Sequence, residues 1–401
     1  MPRRNDYVPS LAELLVRFGA NVQSGQIVAL SSEPGKEPLA RAVAEAAYRA
    51  GARFVDLQVF DVHLKRSRAL YADPDSLGFV PPWYGDRMRA LSDARAARIV
   101  LSGPVAPRIM DGIEPALAGR DMLPAIRESI AVVNERTTNW TIGPCPSAGW
   151  ATLVHPSLDS ASALDRLWEQ IAHVCRLDEP DPVAAWQERL DQLVRAADRL
   201  DALGLDSLHF AGPGTDLTIG LFPSSRWLCG RFETAAGLRH APNLPTEEVF
   251  TTPDPERVNG TVRATKPLFT SGRMITGLTV QFESGRAVRI DADEGAETLR
   301  SLSHRDPGGT RLGEVALVDR ESRLGALGTV FYETLLDENA ASHIALGQGF
   351  PFAVGDDGER ERINDSELHI DFMIGSSAVA VTGRLRDGSE LPLLRDGAWQ
   401  I

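Results

Sequence analysis

Cysteine is scarce in this chain. Cys145, Cys175 and Cys229 are the only three in 401 residues, odd in number and widely spaced. That pattern fits reduced thiols in the cytoplasm better than a disulfide framework or a zinc–thiolate site. No apolar run is long enough to span a bilayer, and the residues after Met1–Tyr7 follow an amphipathic pattern, so no signal peptide is read. Positive charge is not in excess. At a formal net charge of −13, the chain is repelled by phosphate backbones and anionic membrane surfaces, which argues against nucleic acid or membrane as a partner. The turn Glu33-Pro34-Gly35-Lys36-Glu37 holds neither G-x-G-x-x-G nor a Walker pattern, so no nucleotide is indicated.

What is present is the composition of a globular protein too long for one ordinary core, and it suggests two or three domains. Residues 9–19 repeat apolar positions at helical spacing. Strand-like Ile27–Leu30 and Phe54–Phe60 flank an Ala-rich helical stretch from Pro38, and Ala97–Leu101 reads as a third strand. Helical patterns near 84–95 and 121–135 alternate with these strands, so residues 1–195 are expected to form an α/β domain with a mostly parallel sheet. After the proline-broken Arg176–Pro182 and a helix from Trp186 to Leu203, the texture changes. Gly212–Gly220 and Leu278–Arg286 alternate apolar and polar residues between turns. Residues 196–401 are therefore expected to form a mixed α+β domain with antiparallel strands.

The chemistry concentrates in this second part. In Leu368-His369-Ile370-Asp371-Phe372-Met373-Ile374, a strand places His369 and Asp371 on one face and Leu368, Ile370, Phe372 and Ile374 on the other. With His343 they offer nitrogen and oxygen donors suited to a divalent first-row metal, though a metal-free His–Asp pair has the same pattern. Glu314 enters a buried-looking strand, where a carboxylate is usually paired or metal-bound. Glu247 and Glu248 stand together after Pro245, where a solvated acidic pair is the plain reading. Glu338 lies five residues before His343, over a quarter turn away on a straight helix, and is expected at a helix start.

The order Gly214–Leu221, Asn243–Thr251, Leu312–Ala316, Asn339–Gly347 and Asn364–Gly375 resembles the thermophilic metallopeptidase family, of the aminopeptidase T and aminopeptidase S type. The resemblance is specific in the C-terminal half and is one of length and α/β texture in the N-terminal half. It implies a cytosolic homodimeric aminopeptidase acting on peptides, with an N-terminal α/β domain and a C-terminal metal-binding catalytic domain. By motif position it implies metal ligands at Glu248, Glu314, His343, His369 and Asp371, with Glu338 a further one. Amide hydrolysis at neutral pH needs an activated water and a Lewis acid on the carbonyl, and two divalent ions about 3.5–4 Å apart supply both through a shared water. Zinc or cobalt is expected, with magnesium or manganese as further choices. Glu314 is the expected bridging carboxylate, and Glu247 is a general base if the backbone turns there.

One position departs from the family pattern: Phe350 stands where the family has a tyrosine, seven residues after the ligand His343. Phe cannot donate a hydrogen bond to a developing oxyanion, so the substrate could instead be a small non-peptide amide. A mononuclear iron ring-cleaving dioxygenase using His343, His369 and Asp371 is a further alternative, disfavoured by the presence of Glu248 and Glu314. A non-catalytic binding protein with structural acids is the last.

Overall fold

The computed structural model describes residues 4–114, 117, 120–121, 123–124 and 126–401. The chain divides into two compact units. One comprises residues 1–190 and 230–246, the other residues 191–229 and 247–401. The Pro182–Leu203 helix contains the first point of division.

The first unit is built on a four-stranded parallel sheet in the order Phe54–Val59, Ile27–Ser32, Ala97–Ser102, Trp140–Pro144. The second of these strands is buried along most of its length and the first, at an edge, is largely accessible. Helix Glu37–Arg49 follows the strand Ile27–Ser32 in the chain, with Pro38 at its opening turn and Val43, Ala46 and Ala47 on its buried stripe. Helix Pro82–Asp93 matches the expected pattern. Of the pattern at 121–135, the described helix is Arg127–Glu135, and positions 122 and 125 lie outside the described residues. The expected helix at 9–19 is the end of Arg4–Leu14 followed by a π-helical turn, Leu15–Gly19. Residues 230–246 return to this unit as a short hairpin, Phe232–Glu233 against Arg239–His240, and Asn243 then bridges in parallel to Ile142.

The second unit holds two large antiparallel sheets and a two-stranded one, Leu268–Thr270 against Arg273–Ile275. The larger runs Arg286–Asp291, Thr279–Glu283, Pro253–Arg263, Thr215–Leu221, Leu205–Gly212, Ala380–Leu385, Glu390–Arg395, Ala398–Trp399. The smaller has the order His369–Met373, His343–Gly347, Leu312–Val318, Glu248–Thr251, Leu228–Cys229. Every residue of Leu312–Val318, His343–Gly347 and Glu248–Thr251 is buried, so polar side chains on this sheet answer to one another rather than to water.

Two glycines shape the smaller sheet. Its pairing slips between Leu312 and Glu314, and a Cβ on the intervening Gly313 would stand 2.1 Å from the Gln348 carbonyl oxygen. Gly347 has φ of +108°, and its Cβ would meet the Leu368 carbonyl oxygen at 2.2 Å. Only residues without a side chain allow three backbones this close.

Candidate metal centre

The register of the smaller sheet decides which side chains meet. Glu248 pairs with Val318, Ala316 with His343, Glu314 with Ala345, and Ala345 with Asp371. Paired residues share a face and so do residues two apart. Glu248, Glu314, His343, His369 and Asp371 therefore all project from one face. Val249, Val315, Ile344 and Phe372 fill the other. Between the ligand-type residues on that face stand Ala316 and Ala345, whose methyl groups leave room among larger neighbours.

The distances are short. His343 Nε2 lies 3.0 Å from Glu248 Oε2 and 4.0 Å from Glu314 Oε1. His369 Nε2 lies 3.0 Å from Glu314 Oε2 and 3.4 Å from Asp371 Oδ1. Two groups thus offer converging ligand atoms, Glu248–Glu314–His343 and Glu314–His369–Asp371, each within 4.8 Å. Glu314 belongs to both. His369 is the accessible edge, with its side chain 25% exposed, whereas that of His343 is 1% exposed.

Each imidazole is oriented from behind. His343 Nδ1 is 3.1 Å from the Ala341 carbonyl and His369 Nδ1 is 2.9 Å from the Gln348 carbonyl. A carbonyl only accepts, so each Nδ1–H is the donor. In the neutral ring the Nε2 lone pair then faces the carboxylates.

Electrostatics ties a sixth residue to the cluster. Glu338 is buried at the end of the short helix Thr334–Glu338. Burial first, then the charges of Asp371, Glu248 and Glu314, push its carboxyl well above the usual range. Burial also raises Glu314, with His369 opposing. Asp371 is held below its ordinary value: burial would raise it, but His369 and then His343 outweigh that. For His343, burial opposes protonation, yet the adjacent Glu248 with Asp371 and Glu314 pushes the imidazole up to about 9. Burial likewise opposes charge on His369, and Asp371 with Glu314 still holds it well above its usual value.

These residues fit a divalent cation. Four buried carboxyls face two imidazoles, so with every carboxyl ionised even two protonated rings leave negative charge in excess, and without a cation that excess is relieved by the upward shifts of Glu338 and Glu314. Glu248 Oε2 is buried and, with the ring of His343 neutral, receives no hydrogen bond and faces the Nε2 lone pair. Carboxylate oxygens and imidazole nitrogens converging in a dry site are the donors that first-row divalent ions take.

The expectation for Glu338 and His343 needs correction. Glu338 ends a helix rather than starting one, and His343 opens a strand instead of lying on the same helix. Nor are Glu247 and Glu248 a solvated pair, since they are 0% and 6% exposed. Glu247 precedes the strand and its backbone N–H donates to Asn339 Oδ1 at 2.6 Å. Sequence reasoning passed over Asn339 and the Gln348 carbonyl, because backbone acceptors and lone amides carry no motif. Away from the site, His173 pairs with Asp178 and His209 with Asp216, and Arg239 pairs with Glu233 at the surface.

A sheet face carrying buried acids and oriented imidazoles, in a chain that also holds a parallel α/β unit, is that of a metalloenzyme. The chain belongs to the thermophilic metalloprotease (M29) family, whose model matches residues 5–399. It is 40% identical over 399 residues to Aminopeptidase T of Thermus aquaticus, covering 98% of each chain. It is 35% identical over 409 residues to Aminopeptidase 2 of Geobacillus stearothermophilus, covering 100% of this chain and 99% of that one. The solved structure of wild-type AmpT from Thermus thermophilus superposes with a TM-score of 0.88 at 40% identity, over 99% of both chains.

Proposed function

We propose that this protein is a metal-dependent aminopeptidase in which two divalent ions occupy the one-faced cluster of the smaller sheet. The observation that carries the two-ion reading is the sharing of Glu314 between two ligand groups, as a bridging carboxylate requires. Glu248 and His343 would hold one ion and His369 and Asp371 the other, with Glu338 completing the donor set. Zinc or cobalt suits such donors, with magnesium or manganese as further choices. When bound, such ions polarise the scissile carbonyl and lower the pKa of the attacking water.

The chain's own residues do the rest. The Ala341 and Gln348 carbonyls hold the two rings with Nε2 forward. The buried sheet excludes bulk water from Glu248 and Glu314, so charge placed there acts at full strength. Glu247, buried beside Glu248, is assigned to proton transfer. A mononuclear iron site would need His343, His369 and Asp371 on one ion, whereas among the described residues the converging ligand atoms group His343 with Glu248 and Glu314, and His369 and Asp371 with Glu314. The names of the curated relatives favour a peptide over a non-peptide amide. The reading extends to a cytoplasmic homodimer. Three buried cysteines, few and widely spaced, accord with a reducing compartment, and the dimer is what the family resemblance implies. The catalytic machinery is assigned to the C-terminal domain expected at residues 196–401, and its proposed ligands lie in the 247–401 part of the second unit.

The test is metal analysis combined with turnover. Metal-free protein reconstituted separately with zinc, cobalt, manganese and iron is expected to take up two ions per chain and, in the zinc or cobalt form, to hydrolyse leucine p-nitroanilide without oxygen. Glu314→Gln is expected to lose both ions' tight binding together. One ion per chain, or an oxygen requirement, would overturn the reading.

A further inference from the structure

Past the ligand atoms, the sheet face that carries the cluster continues into aromatic carbon. Phe250 lies two residues beyond Glu248 on the same strand and so projects from the same face, opposite Ala316, which in turn pairs with His343. Phe350 and Phe352 come from the turn that follows strand His343–Gly347. The Phe350 ring meets Phe250 edge to face, with centroids 5.7 Å apart and planes at 70°, and stacks on Phe352 at 5.2 Å and 22°. Its centroid lies 5.1 Å from that of the His369 imidazole. Aromatic pairs attract at such separations and angles.

The backbone holds these rings in place. The Phe350 N–H donates to Thr252 Oγ1 at 2.9 Å, and Thr252 is buried one residue past the strand Glu248–Thr251. Pro351–Ala353 form a single 3₁₀ turn, closed by the Ala353 N–H on the Phe350 carbonyl at 3.0 Å. The Ala353 carbonyl accepts the Arg226 N–H at 2.8 Å, which ties the turn to the segment leading into strand Leu228–Cys229.

Phe250 is buried, whereas Phe350 and Phe352 are partly exposed, as is His369. Beside the accessible edge of the cluster there stands, then, an apolar wall of two rings backed by a third. A phenyl ring supplies no ligand atom, so the wall adds nothing to metal binding. What it can do is recognise carbon on the reacting molecule. In a peptide the side chain of the first residue branches from the atom bonded to the reacting carbonyl carbon, about 1.5 Å away. A carbonyl held at the cluster therefore brings that side chain to the cluster's border, whatever the rest of the peptide does.

We propose that Phe350 and Phe352, backed by Phe250, receive the side chain of the substrate's N-terminal residue, so that the enzyme selects peptides beginning with a large apolar or aromatic residue. This rests on the aminopeptidase reading of the cluster. Each carbon laid against the rings leaves water in the bound state, and a small or charged side chain forfeits that gain.

The test is a panel of phenylalanine, leucine, alanine and lysine p-nitroanilides on the metal-loaded protein. Wild type is expected to favour phenylalanine and leucine over alanine by at least about tenfold in kcat/KM, the scale on which an apolar pocket discriminates. Phe352→Ala is expected to bring the phenylalanine-to-alanine ratio close to one, and Phe352→Leu to keep part of it. Phe350→Tyr retains the ring and should retain the ratio. Because the ratio compares two substrates on one protein, a variant that is partly misfolded or partly metal-free still reports it. Equal rates for phenylalanine and alanine in wild type, a ratio unchanged in Phe352→Ala, or a preference for lysine over phenylalanine, which would make the rings a cation site, overturns the proposal. A wild type inactive on the whole panel overturns the aminopeptidase reading instead. Calorimetric binding of phenylalaninamide against alaninamide still reads the wall in that event, and equal affinities overturn it.

Discussion

Glu247 and Glu248 are adjacent in sequence and buried together, yet only Glu248 belongs to the clusters of converging ligand atoms. The backbone leaves the strand at this boundary: Glu248 opens the ladder against Val318, while the Glu247 N–H is taken by the Asn339 side chain. Proton transfer by a positioned carboxylate contributes roughly 10²–10⁴ in rate. Glu247→Gln is therefore expected to lower kcat by about that factor while metal content, measured by elemental analysis, stays full. Unchanged turnover at full metal content would remove Glu247 from the mechanism. At position 350, where the resemblance implies a tyrosine, stands a ring that packs against its neighbours: Phe350 stacks on Phe352 at 5.2 Å and leans on His369 at 5.1 Å. Here Phe350 is a wall of the site, and hydrogen-bond donation must come from elsewhere.

Among the elements, the Leu312–Val318 strand does most to set the site, because the slip at Gly313 brings Gln348 behind His369. Gly313→Ala would drive a methyl into the Gln348 backbone and displace the carbonyl that holds the ring. Loss of a group that orients a ligand typically costs about 10–100-fold in metal affinity. The variant is expected to show a drop of that order in competition with a chromophoric chelator, with little change in the far-ultraviolet spectrum. At this scale the sequence was partly legible. His369 and Asp371 could be placed on one face because both lie on a single strand and the period is local. That Glu314, Ala345 and Asp371 form one row across three strands could not be read, since register is set by long-range pairing and shifts at the Gly313 bulge. Glu338 was misplaced for a related reason: spacing to His343 was measured along a helix that ends between them. The parallel order of the first unit was foreshadowed by its alternating pattern. The return of residues 230–246 was not, because its hairpin strands are two residues long and carry no period.

For the molecule as a whole, the cluster makes stability depend on pH in a direction set by its occupant. In the metal-free protein His343 is raised to about 9 from an unfolded value near 6.5. The folded state then binds the extra proton. Its stabilisation is complete below the unfolded value and is lost as pH rises through about 9. The raised Glu314 and Glu338 act in the same sense. Thermal scans in chelator are expected to show Tm falling as pH rises across that window. The metal-loaded protein should show the opposite trend, because ions compete with those same protons and bind more tightly as they leave. A chelated sample whose Tm is flat from pH 6 to 9 would show that the imidazoles are not held charged by their neighbours.

One carboxylate common to both ligand groups has a further consequence for how the enzyme meets its supply of metal. On the two-ion reading, the first ion bound would claim an oxygen of Glu314 and alter the charge and pose of the other, so the second would meet a remodelled partner. A half-filled molecule would then be a distinct chemical species, and the two filling events would report on each other.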